Sequence, residues 1–147
     1  MAYEGYTTKE IKCYPLAAAG PTIVSSATAW AWPAAWTELV PVNTIASNFV
    51  IISFTSLEFP TASLDARHQT LFQIGTGAAA SEVAVVSIPV SWYIDSGVGH
   101  CSPWVFPIVV PRYVALNTRV AIRVTDEMAV AYTYGGCKIM YIELTYV

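Results

Sequence analysis

Two histidines, three cysteines and ten acidic residues are the side chains of this chain best suited to catalysis or metal binding. A Ser-His-Asp triad would have to use His68 or His100, and no Gly-x-Ser-x-Gly sequence supplies the nucleophile. His100 and Cys101, with Cys137 and His68, include ligand types of zinc, but one adjacent pair is a weak zinc pattern. We therefore predict that both histidines lie in loops and do no chemistry.

Carboxylates and glycines offer two further chemistries. A glycosidase needs two acidic side chains on either side of a sugar, whereas Glu58, Glu82 and Glu143 are interpreted as strand-end or surface groups. The segment Gly75–Ala80 matches a dinucleotide-binding fingerprint, but β-branched residues follow it where a helix should begin. The sequence thus favours a protein that is not an enzyme and has no cofactor and no metal.

Tryptophans are the residues best suited to a binding function. Trp30, Trp32 and Trp36 lie within seven residues, among Ala and Pro that give no alternating strand face. Exposed rings stack on sugars, whereas buried rings fill cores and subunit interfaces. We predict that this segment is an intersubunit contact, with sugar binding as the alternative.

Arginines mark the clearest strand, at 119–124. Its apolar residues alternate with Arg119, Ala121 and Arg123, as a half-buried antiparallel strand requires. The two arginines form either a solvated face or ion pairs with carboxylates, such as Glu143 or those of a partner's acidic surface. The candidate interface residues are Tyr3, Tyr6, Tyr14, Trp30, Trp32, Trp36, Arg119 and Arg123.

Alternation and turn residues predict strands along the whole chain. Besides 119–124, these lie at 22–29, 36–41, 48–57, 69–74, 82–93, 105–110, 129–134 and 138–147. Tyr134–Cys137 is interpreted as a tight hairpin joining the last two strands. Both faces of 138–147 carry large apolar groups, which predicts that its outer face is covered by a neighbouring subunit or sheet.

The strands define the expected fold and its edges. Pro41, Pro89, Pro107 and Pro111 indicate edge strands or strand ends, because proline lacks a ladder donor. The pattern predicts one all-β domain over residues 1–147, an antiparallel β-sandwich of the jelly-roll kind with eight or nine strands. Residues 1–15 are a candidate extended N-terminal arm.

Composition narrows the class of protein. Only 12% of the residues are charged, against about 25% in ordinary soluble domains, so we expect much of the surface to be buried in an assembly.

The net charge of −3 argues against nucleic-acid binding. No apolar stretch approaches the roughly 20 residues of a membrane helix, and the N-terminus has no basic start of a secretion signal. Three scattered cysteines predict thiols of a reducing cytosol.

Several segments resemble a group of small tailed-phage virion proteins, in the same order and at similar spacing. They are Ser26-Ala27-Thr28-Ala29 with Trp36-Thr37-Glu38-Leu39-Val40, then Gln73-Ile74-Gly75-Thr76-Gly77-Ala78-Ala79-Ala80-Ser81-Glu82-Val83, and Phe106-Pro107-Ile108 with Asn117-Thr118-Arg119-Val120-Ala121-Ile122-Arg123. One turn departs from the family pattern Pro-Ala-Gly-Thr-Arg. There we expect Asn117 to replace the glycine at a positive φ.

This resemblance implies an all-β virion component. Our leading hypothesis is a homotrimeric capsid decoration, or cement, protein that binds the major capsid protein on the capsid surface and is made in the host cytoplasm. Neither nucleic acid nor membrane is an expected partner. The alternative is a receptor- or carbohydrate-binding module of a tail fibre or baseplate. A hydrolase of cell-wall sugars is a third hypothesis, for which no acid/base pair stands out.

Overall fold

The computed structural model of the chain describes residues 6–16, 20–56, 67–93 and 104–146, and for 6–9, 67, 93, 104, 145 and 146 it describes the backbone only. All regular elements in these ranges are strands, and no helix in them is long and apolar enough to cross a membrane. The ten strands are β1 (Tyr6–Tyr14), β2 (Ile23–Val24), β3 (Thr37–Val40), β4 (Phe49–Ser56), β5 (Arg67–Thr76), β6 (Val83–Tyr93), β7 (Trp104–Val114), β8 (Val120–Asp126), β9 (Thr133–Tyr134) and β10 (Lys138–Tyr146).

Eight of these strands form two antiparallel sheets. The first sheet has the order β1-β10-β4-β7 and the second sheet the order β3-β8-β5-β6, while β2 and β9 form a short ladder. The eight strands pair from the outside of the sequence inwards: β1 pairs with β10, β3 with β8, β4 with β7, and β5 with β6. Successive pairs alternate between the sheets, so the chain is arranged as one long hairpin that has been rolled up.

The two sheets face each other across one hydrophobic core. Phe54 of the first sheet and Phe72 of the second have ring centroids 4.9 Å apart, and the Tyr134 ring meets Phe72 edge-on at 5.3 Å. All three side chains are fully buried, and burying a phenylalanine stabilises a fold by about 1.5–3 kcal/mol. The predicted all-β antiparallel β-sandwich is confirmed, with ten strands in the described residues.

Strand β8 shows how the sequence pattern produces this packing. Val120, Ile122 and Val124 are fully buried between the sheets, whereas Arg123 is half-buried on the opposite face. A period of two places alternate side chains on opposite faces of a sheet. Ala121, on the same face as Arg123, is also fully buried. Side chains thus alternate in direction as predicted, but the strand is buried on both faces rather than half-buried.

Prolines mark the sheet edges, as predicted. Pro89 lies in β6, an edge of the second sheet, and Pro107 and Pro111 lie in β7, an edge of the first. Pro41 follows β3, the other edge of the second sheet. Proline is tolerated there because an edge strand leaves some of its N–H positions outside the ladder.

The tight hairpin predicted at Tyr134–Cys137 is wrong. Strand β9 pairs with β2, whereas β10 pairs with β1 and β4. Only Gly136 has a positive φ, of 65°, although a type I′ turn needs two such residues. The chain here passes from the short ladder into the first sheet, and Ser56 Oγ donates to the Gly135 carbonyl at 3.1 Å.

Three other segments differ from the sequence predictions. The candidate N-terminal arm is edge strand β1 over Tyr6–Tyr14. The strands predicted at 22–29 and 129–134 shrink to two residues each. At the next position the Ser25 N–H still donates to the Tyr132 carbonyl at 2.9 Å, but the Tyr132 N–H donates to Ser25 Oγ instead of the Ser25 carbonyl, so regular pairing ends there.

Candidate functional site

Three charged side chains on the outer face of the second sheet form ion pairs with one another. Arg119 Nε donates to Glu38 Oε2 at 2.7 Å and Arg119 Nη1 donates to Glu82 Oε1 at 2.5 Å. We call Glu38, Glu82 and Arg119 the ion triad. The suggested pairing of an arginine with Glu143 is wrong, because Glu143 lies 3.1 Å from Lys12 on the first sheet.

Two members of the ion triad, Arg119 and Glu82, are largely shielded from water, whereas the Glu38 side chain is 44% exposed. The side chains of Arg119 and Glu82 are 11% and 3% exposed. Glu82 directly precedes β6, in agreement with the strand-end interpretation, but its side chain does not lie on the open surface. Burial raises the pKa of Glu82, but hydrogen bonds from Arg119 and from the backbone outweigh it, and the pKa lies below its ordinary value. Burial lowers the pKa of Arg119, but the two carboxylates outweigh it and raise that pKa.

Arg123 forms a different environment on the same face. Its guanidinium carbon lies 4.2 Å from the ring centroid of Trp36 and 4.8 Å from that of Trp32. Gln73 Oε1 accepts hydrogen bonds from Arg123 Nε at 2.8 Å and from Nη2 at 2.6 Å. We call Trp32, Trp36, Gln73 and Arg123 the Trp–Arg cluster. Burial lowers the pKa of Arg123, but an arginine stays charged at neutral pH.

Strand register builds the Trp–Arg cluster. Arg123 of β8 is paired with Gln73 of β5, which is paired with Ser87 of β6. Gln73 Nε2 donates to Ser87 Oγ at 3.2 Å, which leaves the Gln73 carbonyl oxygen for Arg123. Trp36 directly precedes β3, whose register puts its side chains beside β8.

The outer face of the first sheet carries a row of apolar side chains instead of charges. Ile11 of β1 is paired with Ile142 of β10, Ile142 with Val50 of β4, and Val50 with Tyr113 of β7. Ile11 and Tyr113 are each 58% exposed, and Val50 and Ile142 are half-buried. We call these four residues the apolar row. It crosses all four strands of the first sheet and leaves a hydrophobic surface open to a partner.

Inside the core, four polar side chains form one hydrogen-bonded group. Asp126 Oδ2 accepts from Thr70 Oγ1 at 2.7 Å and from the Tyr134 hydroxyl at 2.6 Å, and Trp92 Nε1 donates to Thr70 Oγ1 at 2.8 Å. Burial, with the bond to Asp126, raises the pKa of Tyr134 far above its ordinary value. All four residues are buried, so this buried polar group joins β5, β6, β8 and β9 inside the core.

The prediction that His68 lies in a loop is wrong. His68 is in β5, is 1% exposed, and stacks on Trp92 with ring centroids 4.4 Å apart. Its pairing with Trp92 across the ladder explains this burial. His100, Cys101 and Glu58 lie outside the described residues. Within residues 6–16, 20–56, 67–93 and 104–146, no three His, Cys, Asp or Glu side chains gather as they would around a metal ion.

The other predicted interface residues that the structure describes lie at three places, in the loop between β2 and β3 and at the two ends of β1. Trp30 is 51% exposed, has a positive φ of 56°, and its N–H donates to the Asp126 carbonyl at 2.7 Å. Tyr14 is half-buried against the core at the end of β1. The backbone of Tyr6 begins β1, and Tyr3 lies outside the described residues.

Sequence reasoning did not single out several members of these surfaces. Gln73 and Glu38 were not candidates, although both alternate with core residues in strands, which is a weak signal. Ile11, Val50 and Tyr113 were not candidates either. The apolar outer face predicted for 138–147 is the signal that points to them. Ile142 belongs to that face, and the other three residues lie in register with it on the neighbouring strands.

A shallow groove of about 240 Å³ lies between β6 and β7. Its lining is mainly apolar, with Val86, Ile88, Pro107 and Val109 among its residues, and Arg112 is the charged one. In comparisons with known proteins, no family model, no curated protein and no solved structure matches this chain. The two outer faces described above are the features of this chain that suggest a function.

Proposed function

We propose that this chain is a non-enzymatic structural protein of a phage virion, a homotrimeric decoration protein that stabilises the head shell. The observation that carries the proposal is the apolar row on the first sheet. Contiguous apolar surface across several strands is typical of a face that a subunit buries against its neighbours. The major capsid protein is the proposed partner, and the capsid surface the proposed location.

The strand order supports the proposal at the level of the fold. A jelly roll is expected to pair its strands from the outside of the sequence inwards. This chain does so, with the pairs β1–β10, β3–β8, β4–β7 and β5–β6. Jelly rolls are frequent in viral capsid proteins and also in lectins. The fold thus agrees with the resemblance to phage virion proteins and also leaves room for a sugar-binding function.

The proposed mechanism is mechanical. Burial of apolar surface contributes about 25 cal/mol per Å², and a decoration protein repeats that contribution at many equivalent positions on a shell. The apolar row carries no charge, so copies can approach one another through it without repulsion. Closed point-group symmetry, as in a trimer, is the usual outcome when identical chains associate.

A receptor- or carbohydrate-binding module of a tail fibre or baseplate is the second candidate. The observation that favours it is Trp30, which is 51% exposed and could stack on a sugar ring. Trp32 and Trp36 fit this role less well, because both rings contact Arg123. A glycan array on which a hit is lost in Trp30→Ala would favour this candidate, and an array without hits would count against it.

The test of the trimer uses two substitutions matched in exposure. Ile11 in the apolar row is 58% exposed, and Val42 in the loop after β3 is 59% exposed, so Ile11→Lys and Val42→Lys make similar changes in charge and surface. Native mass spectrometry at micromolar concentration should show a trimer for the natural chain and for Val42→Lys. Ile11→Lys should dissociate it, because each 1.4 kcal/mol lost weakens association about tenfold.

A monomeric natural chain, or a trimer that withstands Ile11→Lys, would count against this use of the apolar row. Position on the particle is tested separately, by labelling phage particles with gold-tagged antibody against the chain. Label spread over the shell is the expected result. Label confined to the tail would favour host recognition, and absence of label would count against a virion protein.

A further inference from the structure

Arg123 is a cation whose position is fixed by neutral groups. Its guanidinium lies over the rings of Trp32 and Trp36, at 4.8 Å and 4.2 Å from their centroids. Gln73 Oε1 accepts from two of its nitrogens, and Ser87 in turn orients the Gln73 amide. Cation–π and hydrogen-bond contacts thus hold this side chain in one place before any partner arrives.

The hydrogen bonds to Gln73 leave part of the guanidinium available. Arginine has five N–H donors, and Gln73 takes one on Nε and one on Nη2. One donor on Nη2 and two on Nη1 remain, and no described residue accepts from Nη1. One N–H on each of these two nitrogens forms the parallel fork that binds both oxygens of a carboxylate.

Arg119, four residues along the same face, provides the contrast. It contacts two carboxylates, Glu38 and Glu82, whereas no carboxylate among the described residues forms an ion pair with Arg123. The ion triad has one cation and two anions and therefore a net charge of −1. Among the side chains of this face that the structure describes, Arg123 is the cation that forms no ion pair, although the charge of Glu82 acts on it from a distance.

We propose that the Trp–Arg cluster is a carboxylate-binding site that receives an Asp or Glu side chain of a partner protein. The fork on Arg123 matches two carboxylate oxygens, and the rings of Trp32 and Trp36 supply the apolar surroundings typical of interface anchors, where Trp and Arg are enriched. The negative ion triad nearby opposes a phosphate dianion more than a singly charged carboxylate. The inference rests on the proposed function only for naming the partner as another virion subunit.

The test is a titration of the full-length ¹⁵N-labelled chain followed by NMR. The probe is the peptide acetyl-Gly-Glu-Gly-amide, with acetyl-Gly-Gln-Gly-amide as the neutral control, and the signals observed are the indole N–H resonances of Trp32 and Trp36. We expect a saturable shift with a Kd on the order of 10 mM for the Glu peptide. We expect no saturable shift for the Gln peptide.

Two charge-conserving variants show where the peptide binds. Arg123→Lys keeps the positive charge but loses the fork, and it should weaken binding at least about tenfold. Arg112→Lys, at an exposed arginine in β7, should bind like the natural chain. If Arg123→Lys folds poorly, the titration of the natural chain still tests the carboxylate site, because absence of saturation there is enough to reject it.

Three results would overturn the carboxylate site. They are no saturation up to about 100 mM peptide, an equal response to the Gln peptide, and undiminished binding by folded Arg123→Lys. Inorganic phosphate that saturates the same signals at lower concentration would overturn the choice of carboxylate. If the chain is a trimer but the Glu peptide does not bind, the carboxylate site is rejected and the proposed function is not. If the chain is a monomer and the Glu peptide binds, the proposed trimer is rejected and the carboxylate site is not.

Discussion

The ring of Trp36 occupies the space in which a side chain at Gly75 would begin. A β carbon at Gly75 would lie 2.7 Å from Trp36 Cη2 and 2.8 Å from Cζ3, closer than unbonded carbon atoms approach. The absence of a side chain at Gly75 thus lets the Trp36 ring of the Trp–Arg cluster pack directly on the backbone of β5. The glycine that suggested a dinucleotide fingerprint in the sequence is explained by packing against a tryptophan.

Gly75→Ala should therefore destabilise the fold by about 1–3 kcal/mol, the usual cost of overpacking. The same change in a Trp36→Ala background should cost much less, because the clashing ring is gone. Urea unfolding of the four proteins gives the coupling energy of the two sites. Equal costs in both backgrounds would show that the backbone at Gly75, rather than the Trp36 ring, requires a glycine.

Thr70 occupies the centre of the buried polar group, so Thr70→Val should destabilise the fold by about 1–3 kcal/mol. The substitution preserves the shape but removes the acceptor of the Trp92 N–H and one donor to Asp126. Chemical denaturation measures the loss. Thr133→Val, at an exposed position in β9, is the control and should change stability by less than about 0.5 kcal/mol. Similar losses in both variants would argue against a special role for the group.

The ion triad should make stability depend on pH in the acid range. The pKa of Glu82 is lower in the folded chain than its ordinary value of 4.5, so its contribution is fully present above pH 4.5 and is lost as the pH falls through the folded pKa. Unfolding midpoints in urea between pH 7 and pH 3 should fall less steeply in Glu82→Gln than in the natural chain.

The control for this pH dependence is Glu10→Gln. Glu10 is exposed and forms no ion pair within the described residues, so the variant should keep the natural dependence. A Glu82→Gln variant that loses stability on acidification as steeply as the natural chain would show that other carboxylates govern the acid limb.

Asn117 should be replaceable by glycine but not by alanine. Its φ is 59°, a conformation that costs most L-residues about 1–2 kcal/mol and glycine almost nothing. Its backbone N–H donates to the Ile45 carbonyl at 2.8 Å, a bond that either substitution keeps. Thermal unfolding should therefore show Asn117→Ala about 1 kcal/mol less stable than Asn117→Gly, and equal stabilities would mean that the positive φ carries no cost at this position.

Strand positions could be predicted because burial imposes a period of two on each strand separately. The segment predicted at 48–57 is β4 (Phe49–Ser56), and the one predicted at 82–93 is β6 (Val83–Tyr93). The positive φ expected at Asn117 is also confirmed. Each of these features depends on a few consecutive residues, so the sequence contains the signal locally.

Contacts between strands could not be predicted in the same way. The partners of Arg119 lie 81 and 37 residues away in the chain, and nothing near Arg119 indicates which of ten acidic residues they are. His68 follows charged and small residues that resemble a loop, but its place is decided by Trp92 on the neighbouring strand. Pairing across a sheet depends on the register of both strands, and one segment alone does not specify it.

The sheet edges have a consequence for how the protein behaves at high concentration. Prolines occupy β6 and β7 and follow β3, and β1, the remaining edge, has Lys9, Glu10 and Lys12 among its nine residues. Missing N–H donors and edge charges both hinder the addition of a strand from another molecule. A chain with so few charges would otherwise be prone to amyloid-like extension, and these edges restrict its hydrophobic association to the faces of the sheets.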